Sequence, residues 1–186
     1  MKSGKVLREI EEQAKHTFLP IIGPEKGKVL VDIVKKYQPK RILEVGTLVG
    51  YSTILMSQYL PRGRKIITIE INPQIAEVAK ENFKRAGVDN LIDLKVGDAL
   101  KIIPTLTGLF DLLFLDAAKE EYLNYLKLAE GKLSKNAIVV ADNVGMFVNA
   151  MQDYLDYVRN SPKFESKTID FGFDAVEVSL KGSFLN

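Results

Sequence analysis

The sequence predicts an α/β fold: a doubly wound, mostly parallel sheet of seven strands, with a C-terminal antiparallel hairpin and an N-terminal helical extension. Three observations predict it. Strand-like and helix-like segments alternate five times, and two further strand-like segments close the chain. The strand runs are nearly continuous in apolar residues, as expected for strands covered by helices on both faces. No repeat, low-complexity tract or linker interrupts the pattern, so residues 1–186 read as one domain, with 1–38 as its helical extension.

Residues 5–16 carry Val6, Leu7, Ile10 and Ala14 at helical spacing. Residues 24–37 repeat the pattern with Val29, Leu30, Ile33, Val34 and Tyr37, and Pro24 stands in the first turn, where its missing N–H costs nothing. A short apolar strand at 41–45 is cut off by Gly46. A helix at 51–60 is stopped by Pro61 and the Arg62-Gly63 turn, and the β-branched run 65–69 is a second strand. Asn72-Pro73 is a strong helix start, and that helix ends at Ala86 before Gly87, the expected C′ glycine. Strands follow at 91–96 and 110–115, a helix at 120–133, a strand at 137–141 and a helix at about 148–159. Residues 165–171 and 175–180 alternate like a hairpin around Gly172-Phe173.

Composition removes several function classes. The apolar share is 46% and the charged share 27%, which excludes a disordered or collagen-like chain. No apolar run reaches the roughly 18 residues a membrane span needs. The charged, amphipathic N-terminus lacks the apolar middle of a secretory signal, so a cytoplasmic location is the simplest expectation. There is no cysteine, hence no disulfide, zinc thiolate site or thiol nucleophile. A single histidine, His16, rules out a multi-histidine metal site and argues against a Ser-His-Asp triad. Any metal must therefore rest mainly on oxygen ligands. A net charge of +2 is too small to argue for nucleic acid.

The first motif is the turn after the first strand, where Gly46 and Gly50 precede Tyr51-Ser52. In a doubly wound sheet this turn lies at the carboxyl edge, where ligands bind. Its G-x-x-x-G spacing is neither the dinucleotide nor the P-loop pattern, so it suits a nucleoside ligand without a phosphate chain. Glu70 ends the second strand and can accept hydrogen bonds from both ribose hydroxyls. Such glycine turns and strand-end acids are also common as structure alone. Taken in order on consecutive strands, they favour a nucleoside-type cofactor. Asp98 has two even readings, an N-cap for the helix at Leu100 or an edge contact to adenine.

The second motif is a pair of strand ends, Leu115-Asp116 and Ala141-Asp142-Asn143. Adjacent strands would bring two carboxylates and one amide oxygen together, a set suited to a hard octahedral ion such as Mg²⁺. The competing readings are a helix cap for Asp116 and a simple turn for Asp142-Asn143. Lys119 lies three residues after Asp116, near a helix start. A neighbouring cation would lower its pKa toward what a general base needs; otherwise it is one surface lysine among 26 basic residues. His16 reads as surface or packing, and Tyr122 and Tyr125 as core or rim.

Together these residues resemble the metal- and S-adenosylmethionine-dependent O-methyltransferases of the catechol and caffeoyl-CoA group. The likeness runs through Ile22-Gly23-Pro24-Glu25-Lys26-Gly27, the Gly46 to Ser52 turn, Thr68-Ile-Glu70-Ile-Asn-Pro73, Asp116-Ala-Ala-Lys119, Asp142-Asn143 and Phe164-Glu165. It implies a Rossmann-like methyltransferase fold. It also implies an S-adenosylmethionine site at Ile22, Gly46, Gly50, Ser52, Glu70, Asp98, Ala99 and Asp116. Mg²⁺ or another divalent cation is expected on Asp116, Asp142 and Asn143, with Lys119 as the base. The expected reaction moves a methyl group to a small hydroxylated acceptor of the vicinal-diol type.

The chain departs from the catechol pattern at Ala117 and Ala118, where that family has His-Trp, and Phe18 aligns roughly with its gatekeeping tryptophan. No equivalent of its substrate-contacting glutamate can be placed between Thr168 and Asp174. One rival is a methyltransferase of a hydroxylated uridine in tRNA, permitted by a lysine-rich surface of Lys26, Lys28, Lys35, Lys36, Lys40 and Arg41. Another is a non-catalytic S-adenosylmethionine-binding protein, and a third an NAD-dependent dehydrogenase. The sequence leaves room for a homodimer and gives no sign of a membrane partner.

Overall fold

The computed structural model describes residues 2–182; Met1 and residues 183–186 of the expected domain lie outside it. The strands are β1 (Arg41–Val45), β2 (Lys65–Glu70), β3 (Ile92–Val96), β4 (Phe110–Leu115), β5 (Leu133–Ala141), β6 (Phe164–Asp170) and β7 (Ala175–Lys181). They form one sheet in the order β3-β2-β1-β4-β5-β7-β6. The first five run parallel, and β7 pairs antiparallel with both β5 and β6. The helices are α1 (Lys2–His16), α2 (Gly23–Tyr37), α3 (Tyr51–Ser57), α4 (Pro73–Ala86), α5 (Ala99–Ile102), α6 (Tyr122–Glu130) and α7 (Gln152–Asn160).

The two-residue period of a strand sorts side chains onto two cores. Ile42, Ile66, Leu112, Phe114, Ile138 and Val140 point to one face and pack with residues of α1 to α4. Leu43, Val45, Ile69, Leu113, Leu115 and Val139 point to the other and pack with α5 to α7. The doubly wound reading therefore holds, and α1 joins the first face through Val6, Leu7 and Ile10. No helix among the described residues is long and apolar enough to cross a membrane.

Local chemistry explains most boundaries. The Asn72 side chain accepts hydrogen bonds from the amides of Gln74 and Ile75, and Gly87 ends α4 at φ +73°. Several boundaries differ from expectation. Helix α3 ends at Ser57, three residues early, where the Ser57 hydroxyl donates to the Ile54 carbonyl. The helix expected at 120–133 begins as a 3₁₀ turn (Lys119–Glu121) and ends at Glu130, before Gly131. Leu133 already pairs with Phe110, so β5 starts four residues before the apolar run; the ladder shifts register between Phe110 and Leu112. The segment expected as one helix from 148 likewise opens with a 3₁₀ turn (Val148–Met151).

Sequence order reverses between β1 and β4, which are neighbours. Crossovers leave in opposite directions there, and a crevice opens outside the strand ends. The residues just past each strand are tied to the next strand over: Gly46 N donates to Ile69 O, Asp116 N to Val45 O and Asp142 N to Leu115 O. This stepwise pairing brings Glu70, Asp98, Asp116 and Asp142 to one edge.

Candidate functional site

A cleft of about 660 Å³ occupies that edge. Ile22, Gly46, Ser52, Glu70, Asp98, Ala99, Asp116, Lys119, Asp142 and Asn143 all line it. Gly50 does not. It caps α3 at φ +87°, and a Cβ there would overlap the Phe83 ring. Its part is to let the turn pass over α4.

At the β1–β2 end the backbone does most of the shaping. Gly46 has φ +99°, and an added Cβ would overlap the Asp116 carbonyl oxygen. Only glycine accepts both the left-handed conformation and that approach. Glu70 accepts from Leu48 N at 2.8 Å and from Asn72 N at 3.0 Å, one on each carboxylate oxygen. It thus pins the turn, and each oxygen keeps a further lone-pair site for a ribose hydroxyl. The Asp98 carboxylate accepts from Leu100 N at 2.9 Å while lining the cleft, so the N-cap reading describes its local bond. Below the turn, Glu44 is fully buried and accepts from the Ser52 hydroxyl at 2.5 Å and from the Thr53 hydroxyl. Burial pushes its carboxyl up to about 7.

The β4–β5 end is built from charges. Lys119 Nζ lies 2.8 Å from Asp116 Oδ1 and 3.0 Å from the Tyr122 hydroxyl. Tyr122 itself is buried and its hydroxyl donates to the Asp142 carbonyl. Lys26 Nζ donates to Asp142 Oδ1 at 2.7 Å and to Asp174 Oδ2 at 2.5 Å. Burial opposes the charge on Lys26, but the two carboxylates outweigh it and hold the ammonium above its ordinary range. Burial and the nearby Asp116 charge push Asp142 upward, against the pull of Lys26.

Sequence reasoning misread Lys26, counting it with exposed lysines; it is only 6% exposed and faces the cleft. The available signal was helical spacing, since Lys26 shares the buried stripe of Leu30, Ile33 and Val34. Asp174, Glu44 and the Tyr122 hydroxyl were also missed as members of the site. Asp174 carried no local signal, because its partners lie 148 and 31 residues away. His16 is exposed against Glu12, as a surface residue should be.

Among the described residues, no three acid or imidazole side chains meet around one point. The oxygen donors available at the cleft floor are Asp116, Asp142 and the Asn143 amide. Three carboxylates (Asp116, Asp142, Asp174) face two ammonium groups there, leaving one net negative charge. Mutually repelling Asp116 and Asp142, with a neutral amide beside them, fit a hard divalent cation.

Comparison with known proteins agrees with this architecture. The model of a family described as O-methyltransferase matches residues 2–160. Catechol O-methyltransferase B of Danio rerio is 40% identical over 152 residues, covering 78% of this chain and 57% of the relative. Catechol O-methyltransferase of Mycobacterium tuberculosis is 37% identical over 165 residues, covering 87% of this chain and 74% of the relative. The structure of the O-methyltransferase TomG from Streptomyces achromogenes, in complex with SAM, superposes with a TM-score of 0.85 at 28% identity, covering 96% of this chain and 90% of TomG. The chain spans less than three fifths of the length of the first curated relatives it matches.

Proposed function

Because this chain belongs to the O-methyltransferase family, we propose that it moves a methyl group from S-adenosylmethionine to one hydroxyl of a small catechol-like acceptor, with a divalent cation such as Mg²⁺. One observation carries this reading. The oxygen donors Asp116, Asp142 and Asn143, together with Lys119, share a single cleft with the Gly46 turn and Glu70.

Glu70 would hold the ribose, the Ile22 and Ser52 end would hold the methionine moiety, and Asp98 and Ala99 would flank the adenine. A divalent cation held by Asp116, Asp142 and Asn143 would supply a Lewis acid that acidifies an acceptor hydroxyl. Lys119 Nζ, as the free amine once its ammonium has lost a proton to solvent, takes that proton, held in place by Asp116 and the Tyr122 hydroxyl. The acceptor oxygen then forms its bond to the methyl carbon as the carbon–sulfur bond breaks, and the electron pair stays on sulfur. Opposite charges cancel in this step, so fixed geometry and exclusion of water matter more than added charge. Phe18, Met146, Phe147 and Phe173 ring the cleft and offer an apolar wall to an aromatic acceptor.

The test is methyl transfer to a panel of vicinal diphenols, matched monophenols and unmodified or hydroxylated uridine RNA. Transfer confined to the diphenols, and needing Mg²⁺, supports the proposal. Transfer to RNA alone, or equal transfer to monophenols, overturns it.

A further inference from the structure

Three carboxylates line the cleft floor, but the proposed donor set takes only Asp116 and Asp142 from them; its third member is an amide, and an amide has a right and a wrong end. Asn143 can present either its carbonyl oxygen or its NH₂ group. Only the oxygen serves a cation. In the structure Asn143 Nδ2 donates to Asp174 Oδ2 at 2.8 Å. An ionised carboxylate only accepts hydrogen bonds, so Asp174 commits the NH₂ end and turns Oδ1 the other way.

We propose that Asp174, seated by Lys26, is a positioning residue that fixes the rotamer of Asn143 and so completes the cation site. The inference rests on reading Asp116, Asp142 and Asn143 as a donor set. Asp174 is 3% exposed and lines the cleft beside Asn143, its carboxylate oxygens taken up by neighbouring donors. Its Oδ2 also accepts from Lys26 Nζ, which reaches Asp142 Oδ1 with another proton. Its Oδ1 accepts from Met146 N at 2.9 Å, and Val144 N donates to the Ala175 carbonyl at 3.0 Å. A Cβ on Gly145 would lie 2.8 Å from Ala175 N, so the loop is pressed against the start of β7. Asn143 itself is held at φ +63° within this loop. One carboxylate thus sets the backbone and the amide orientation of the donor loop. Lys26 occupies one oxygen of Asp142 and leaves Oδ2 for an ion.

The test uses Mn²⁺ alone as probe, titrated into the full chain without methyl donor or acceptor and read by electron paramagnetic resonance. Three proteins are compared: wild type, D174N and the exchanged pair N143D/D174N. In D174N the new amide can donate to or accept from Asn143, so the rotamer is no longer fixed. Mn²⁺ affinity is expected to fall 10- to 100-fold, the usual range for an outer-shell partner, with S-adenosylmethionine affinity in EDTA changed less than about twofold. In the exchanged pair, the amide introduced at position 174 donates to the carboxylate introduced at position 143. The other oxygen of that carboxylate faces the cleft, at the same net charge as wild type. Mn²⁺ affinity of the pair should return to within about threefold of wild type.

Wild-type affinity in D174N, or an exchanged pair as weak as D174N, overturns the positioning role. Absence of Mn²⁺ binding in wild type overturns the donor set itself and the role with it. If D174N fails to fold, the side-chain amide of Asn143 in wild type decides by nuclear magnetic resonance. Slow hydrogen exchange in metal-free protein supports the clamp; exchange as fast as that of exposed Asn90 overturns it.

Discussion

At the β1–β2 end of the cleft the chain holds its own backbone: Glu70 takes the amides of Leu48 and Asn72, 22 and 2 residues away. Glu44 takes hydroxyls 8 and 9 residues away. At the β4–β5 end a local pair, Asp116 and Lys119, stands beside distant partners, with Lys26 meeting Asp142 and Asp174 across 116 and 148 residues. The first end is a set of local turns made rigid by hydrogen bonds. The second is a network of charges that exists only once the sheet has closed. A nucleoside asks for shape and a few fixed acceptors, which local turns supply. A cation asks for like charges brought together, which needs compensating lysines and a buried scaffold.

The strongest way to break this comparison is to strike the seam, where Gly46 of one end meets the Asp116 carbonyl of the other. Gly46→Ala combines a positive-φ strain with an overlap against backbone, together about 5 kcal/mol. The melting temperature should fall by roughly 10–20 °C, measured by differential scanning calorimetry, with both binding functions lost together. Loss at one end only would mean that the ends are independent.

Lys119→Ala should instead separate the ends. Turnover is expected to fall by roughly 10²–10⁴, while calorimetry shows S-adenosylmethionine affinity within about twofold of wild type. Undiminished turnover would remove Lys119 from the reaction.

Glu44→Gln sharpens the picture of the turn. Glu44 titrates near pH 7 when folded, against an ordinary 4.5. The folded state therefore holds the proton more tightly, and its stabilising contribution is complete below pH 4.5 and disappears as pH rises through 7. The loss amounts to about 3 kcal/mol. Urea unfolding should show the variant gaining on wild type by up to that amount between pH 5 and pH 8. A difference that does not change with pH would contradict the buried-acid reading.

The smallest expected effect concerns Phe18, which is 95% exposed at the rim of the cleft, on the wall proposed for the acceptor. Phe18→Ala should change stability by less than about 0.5 kcal/mol, yet raise KM for the acceptor and leave KM for the methyl donor unchanged. A matching rise for the donor would place Phe18 in the wrong half.

The same division decided what could be read from the residues alone. Alternating periods, the Asn72-Pro73 cap and the Gly46 turn are local, and the mostly parallel sheet, its two covered faces and Glu70 at a strand end followed from them, whereas the strand order came only with the structure. Asp116 and the Asp142-Asn143 pair were legible as polar groups at one sheet edge because they directly follow apolar strands. Lys26 and Asp174 were not, since a buried lysine looks like any helix lysine until its carboxylates arrive from distant strands. Helix ends blurred where a 3₁₀ turn opened the segment or where the register of β5 shifted beside Phe110, because tertiary pairing set those limits.

The most direct measurement keeps one sample and changes one component. S-adenosylmethionine is titrated calorimetrically in EDTA, and methyl transfer to a vicinal diphenol is then followed in the same sample before and after excess Mg²⁺ is added. Two ends built by separate means predict unchanged affinity for the methyl donor with and without the ion, and transfer only with it. Donor affinity that collapses in EDTA, or transfer that proceeds without any ion, would contradict this division.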